Sequence, residues 1–205
     1  TGETIGLNNT GASVVVAVLD TGKKDHEDLN GQYLPGYDFV SNTKTSKDGD
    51  GYDANPTDPG DDYAAKFCGN KTSRETPTWH GTQVASVIAA LMNNTNTAAS
   101  GGMVGVAPNA KILPVRVTGP CGATLADVAA GIRWAAGGTI PGQAINANPA
   151  KVINLSLSAP GAKCSPTLAS AIKFANSQGA VVVVPAGNSK KIAGEAAKLT
   201  MPANC

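Results

Sequence analysis

The chain predicts an α/β fold: a three-layer domain with a mostly parallel sheet and helices on both faces. Three observations carry that expectation. Runs rich in Val, Ile and Leu recur without polar alternation, as strands buried on both faces do. Helical patterns lie between the runs, and a strand, helix, strand order calls for parallel pairing through right-handed crossovers. A chain of 205 residues with 41% hydrophobic and 15% charged content also fits one well-packed domain, residues 1–205, and no internal repeat is evident.

The first strand is read at residues 13–19 and runs into Leu19-Asp20-Thr21-Gly22. A region without periodicity follows, residues 37–79, and loops of that length inside a domain are usually functional or held by ligands. A helix is expected over 80–92, opening with His80-Gly81-Thr82, where Gly81 lets another chain approach and the helix start exposes the imidazole. Strands at 111–117 and 151–157 flank a helix at 124–136. The last helix, 165–178, has Ser165 as its cap and Pro166 at its first position. A final strand at 180–184 leads into Pro185-Ala186-Gly187-Asn188. In open parallel sheets ligands sit beyond the carboxyl ends of strands, so Asp20 and the loop holding Asn188 are expected to share one site.

Composition excludes several classes. A net charge of +1, with no Lys or Arg run longer than two, supplies no field for nucleic acid or anionic lipid. The longest apolar stretches, such as 181–186, are far too short to span a membrane, and no charged-then-apolar signal opens the chain. Cys68, Cys121, Cys164 and Cys205 lie far apart, with no CxxC pair and no histidine nearby, which argues against zinc. Two disulfides are expected, placing the protein in the periplasm or outside the cell; four buried thiols are the alternative, and spacing leaves three pairings open.

Asp20, His80 and Asn188 are an acid at a strand end, an imidazole at a helix start and an amide after a strand. Acyl transfer by a serine needs those functions: a base, a carboxylate holding its tautomer, and a donor for the tetrahedral oxygen. Asp-Thr-Gly is also an aspartic-peptidase signature, but that chemistry needs a second such carboxylate and none occurs. The other histidine, His26, six residues past Asp20, is read as structural.

The segments 16–22, 79–86 and 181–189, in that order, resemble the subtilisin-like serine peptidases, and the likeness runs from about residue 13 to 205. Trp79, the stretch from Tyr37-Asp38-Phe39 to Pro59-Gly60-Asp61, and Pro202-Ala203-Asn204-Cys205 look most like secreted members from Gram-negative bacteria. The resemblance implies a serine endopeptidase with Asp20 as orienter, His80 as general base and acid, and Asn188 as oxyanion donor. It implies cleft walls from Val117, Thr118, Gly119 and Gly122 on one side and Ser156, Leu157 and Ser158 on the other, with an extended polypeptide lying between them as an added strand. It favours pairing Cys68 with Cys121 and Cys164 with Cys205, and it allows a removed pro-segment as a further partner. Lys23, Gln83, Ser86, Ser158 and Pro185 depart from the family pattern. So does the lack of any Gly-Thr-Ser, the segment on which the family carries its nucleophile; the expectation is a fold truncated before that helix, the serine lying beyond residue 205. A two-chain enzyme, which would leave an exposed apolar edge, and a nucleophile-free peptide binder are the alternatives.

Six of the eleven aspartates crowd into fifteen residues: Asp48, Asp50, Asp53, Asp58, Asp61 and Asp62. Mutual repulsion calls for a cation, and hard oxygens suit structural calcium. The segment is no EF-hand, since Asp53 stands at its sixth position and Pro59 at its twelfth. A merely solvated loop is the other reading. Asn-x-Thr sequons begin at Asn8, Asn70 and Asn93 and carry no weight in a chain whose resemblance is to bacterial proteins.

Overall fold

The computed structural model describes residues 10–69, 71–92, 103–188 and 199–205. The three sequon asparagines and Ser189 lie outside the described residues.

Among the described residues five strands form one sheet: β1 Val15–Asp20, β2 Tyr37–Asp38, β3 Lys111–Arg116, β4 Val152–Asn154 and β5 Val181–Val183. Their order is β2-β3-β1-β4-β5, and every pair is parallel. Helix α1, His80–Ala89, packs on one face, where Ala85 and Ala89 meet Val16, Val18 and Ile112. Helices α2, Leu125–Ala135, and α3, Pro166–Ser177, pack on the other, burying Ile132, Leu168 and Ala175 against Ala17, Leu19, Leu113, Val115 and Ile153. Successive residues of β1 thus feed opposite cores, which is why its sequence is continuously apolar. The three-layer expectation holds.

The differences have physical causes. Strand β2 lies at the start of the region read as loop, because two residues, Tyr37 and Asp38, are too few to show a period. Helix α1 stops three residues early; beyond it the Leu91 amide donates to the Asp28 carbonyl and the Gly105 amide to that of Ala90, so loop partners replace the helical ladder. Ser165 caps α3 by position only, without a side-chain hydrogen bond, whereas the Thr124 hydroxyl accepts from the Asp127 amide to cap α2. β5 is the outer strand of the described sheet, and Val181 and Val183 are 60% and 46% exposed instead of buried, since α3 covers one face only.

Helix α2 approaches the sheet closely at Gly131, where a Cβ would lie 2.7 Å from a Val117 methyl carbon. Gly131→Ala gains about 1 kcal/mol of helix propensity but meets an overpacking cost of about 1–3 kcal/mol. Urea unfolding of the full-length protein is expected to show a net loss of about 1 kcal/mol; an increase in stability would show that the interface yields freely.

Candidate active site

The Asp20 carboxylate, at the last residue of β1, is fully buried. A buried carboxylate needs donors on its oxygens. The Thr21 amide supplies one at 2.8 Å to Oδ1, and His80 Nδ1 supplies another at 2.8 Å to Oδ1 and 2.9 Å to Oδ2. Since an ionised carboxylate only accepts, Nδ1 carries the proton, and in the neutral ring Nε2 is left as a base. The carbonyl of Asp20 is held too, by the amides of Val117 and Thr118 just past β3.

His80 reaches that carboxylate because α1 begins almost on top of the turn after β1. A Cβ on Gly81 would lie 2.3 Å from the Gly22 carbonyl oxygen, a separation no side chain tolerates. The Gly81 amide donates to the Thr21 hydroxyl at 3.0 Å, and the Lys24 amide to the Thr82 hydroxyl at 2.8 Å. Trp79, before the helix, holds φ at 50°, a left-handed value that costs energy in a residue other than glycine, and its ring lies under the Lys24 ammonium.

A second acid flanks the pair. Asp61 accepts from the Thr78 amide at 2.5 Å, the Thr78 hydroxyl at 2.9 Å and Arg74 at 2.8 Å, fixing the chain two residues before His80. The hydrogen bond to Asp20 raises the His80 pKa above its ordinary value; burial opposes this, and the charges of Asp20 and Asp61 reinforce it.

Asp20 and His80 line a cleft of about 280 Å³ whose far wall includes Thr118, Gly119, Gly122 and Leu157. Gly119 and Gly122 pair across a short antiparallel bridge whose turn holds Cys121, disulfide-bonded to Cys68. Thr118, Gly122 and Leu157 also border an apolar cavity of about 200 Å³ lined by Ser158, Leu125, Leu155, Leu168 and Met201. Five of the seven expected cleft residues therefore gather there. Val117 turns into the core against α2, and Ser156 accepts a hydrogen bond from Asn154; neither lines the two spaces. Asn188 is exposed and follows β5 on the edge where β1 ends, with no hydrogen bond among the described residues tying it to the Asp20–His80 pair. Cys164 bonds Cys205, so both disulfides match the expected pairing.

The six crowded aspartates do not converge. Asp48 pairs with Arg116, Asp61 with Arg74 and Asp62 with Lys47. Asp53 Oδ1 accepts from the Asn55 amide, while Asp50 lends its carbonyl to the Ser46 hydroxyl. Asp58 is buried, with Oδ1 on the Gly60 amide and Oδ2 unpartnered; burial raises its pKa although the neighbouring Thr21 hydroxyl works against it. Among the described residues no three His, Cys, Asp or Glu side chains form a set able to hold a metal ion. The Asp61 clamp, the Thr21–Gly81 link and Arg116 were missed by sequence reasoning, because nothing in their spacing signals a contact.

The Subtilase family profile matches residues 11–205. The chain belongs to that family. It is 49% identical over 197 residues to an Extracellular protease of Xanthomonas campestris, and 44% identical over 200 residues to an Extracellular basic protease of Dichelobacter nodosus. Each alignment covers 96% of this chain and 32% of the relative, so the chain spans about a third of the length of these relatives. Among solved structures, Proteases from Pseudoalteromonas arctica superpose with a TM-score of 0.82 at 50% identity, over 88% of this chain and 51% of that one. Sphericase superposes at 0.61 and 28% identity, over 94% and 51%. These neighbours share the parallel, helix-flanked subtilisin-like fold.

The raised pKa of His80 has a definite sign. Its favourable pairing stabilises the folded protein fully below the ordinary value of 6.5 and is lost as pH rises through the higher folded value. Asp20→Asn removes the chief cause, so His80 should titrate lower by NMR in the full-length protein. An unchanged His80 titration would contradict the pairing.

Proposed function

We propose that this chain is the Asp, His and Asn part of the catalytic domain of an extracellular serine endopeptidase that cuts extended polypeptides. The buried Asp20 carboxylate held on His80 Nδ1 carries the reading. Fixing the proton on Nδ1 leaves Nε2 to take the proton of an attacking serine hydroxyl and later return it to the leaving amine. Asp20 orients the ring and stabilises the imidazolium, and the Asn188 amide donates to the oxyanion of the tetrahedral intermediate. Among the described residues no serine hydroxyl hydrogen-bonds His80, and the nucleophile is assigned to the remainder of a longer protein, beyond residue 205.

A substrate strand would lie between the Thr118–Gly122 and Leu157–Ser158 walls, its main chain along the edges and an apolar side chain in the cavity bordered by Leu125, Leu155 and Met201. Export is supported by the relatives named extracellular and by two disulfides, which persist in oxidising compartments.

His80→Ala in the full-length protein should lower kcat for peptide hydrolysis by about 10⁴-fold or more while leaving the unfolding midpoint close to that of the parent. Turnover retained near the parent rate would sink the assignment.

A further inference from the structure

We propose that the cation organising the acidic segment is the guanidinium of Arg116 and not a metal ion. Arg116 ends β3 and is 1% exposed, the bulkiest fully buried side chain among the described residues. Its Nη1 donates to one oxygen each of Asp38 and Asp48, and its Nη2 donates to the Ser46 carbonyl. Acceptors from three points of residues 38–48 thus converge on one planar group, whose several N–H donors can serve more than one acceptor at once.

Calcium would need six or more oxygens at about 2.3–2.6 Å. Three of the six crowded carboxylates are held elsewhere, Asp48 by Arg116, Asp61 by Thr78 and Arg74, and Asp62 by Lys47, and among the described residues no three His, Cys, Asp or Glu side chains form a set able to hold a metal ion. The backbone follows the same arrangement. The Phe39 amide donates to the Arg116 carbonyl at 2.8 Å, and the amides and carbonyls of Asp38 and Asp53 bond each other at 2.8 and 3.1 Å. From that anchor the chain runs on to Asp58 and Asp61, beside Thr21 and Thr78. Arg116 is also the register partner of Asp20. Side chain and sheet therefore tie the acidic segment to the strand beside the candidate acid, whatever reaction the site performs.

The test is amide hydrogen exchange over residues 38–53 of the full-length protein, with EGTA or with added calcium. It is run at about pH 8, because burial pushes the Asp38 carboxyl up to about 7 against the pull of Arg116, and a higher pH keeps it ionised. Protection in the parent should agree within about twofold between the two conditions, and Arg116→Met should speed exchange there by about tenfold or more, with no rescue by calcium. A tenfold loss of protection in the parent on adding EGTA overturns the proposal, as does parent-like protection in Arg116→Met. Should that variant fail to fold, the chelator comparison on the parent decides, and Asp48→Asn, at a partly exposed side chain, serves as the variant under the same criteria.

Discussion

The hydrogen bond between Asp20 and His80 is the constraint around which the rest of the chain is arranged. A fully buried carboxylate without donors is costly, and its β1 position leaves few ways to supply them. The chain solves this by bringing a helix start onto the turn that follows the strand. That approach is possible only without a side chain at Gly81, and the Thr21 and Thr82 hydroxyls hold it on either side of the pair. The left-handed Trp79 is the local strain accepted to aim the imidazole.

What holds this arrangement in place is the layering of the sheet. β1 lies between β3, with which it pairs through to Asp20, and β4, with which it pairs up to Val18, and its side chains enter both cores. The long excursion after β2 is fastened at separate points: at Ser46 and Asp48 by Arg116 of β3, by Asp61 to the turn before His80, and by the Tyr52 hydroxyl to Asp127 near the start of α2. Cys68–Cys121 joins that excursion to the cleft wall across 53 residues, and Cys164–Cys205 closes a second loop of 41. In a chain-entropy account each contributes roughly 4 kcal/mol by restricting the unfolded chain.

The core strands and the meeting of Asp20 with His80 were legible because their signals are local. Continuous apolar runs report burial on two faces, and a Gly directly after a His at a helix start reports a close approach, which Gly22 receives. The burial signal misled at β5, where Val181 and Val183 read as core yet stand exposed on an outer strand, because sequence records apolarity and not sheet position. The acidic segment was legible only in part. The spacing of its carboxylates does not show which cations pair with them: Arg116, 68 residues from Asp48, and Lys47 and Arg74, which take Asp62 and Asp61. Nor does Val117 betray that it points into α2 while its neighbour Thr118 faces the cleft.

The central claim is that the Asp20–His80 pair activates a serine that these 205 residues do not include. Labelling the full-length protein with a fluorophosphonate, followed by peptide mapping, tests it directly, since a serine activated by a neighbouring base reacts with such probes far faster than an ordinary serine. The account predicts one label per molecule, on a serine beyond residue 205, and none in Asp20→Asn on the same timescale. A label on a serine within these 205 residues, or none in a folded full-length protein, would contradict it.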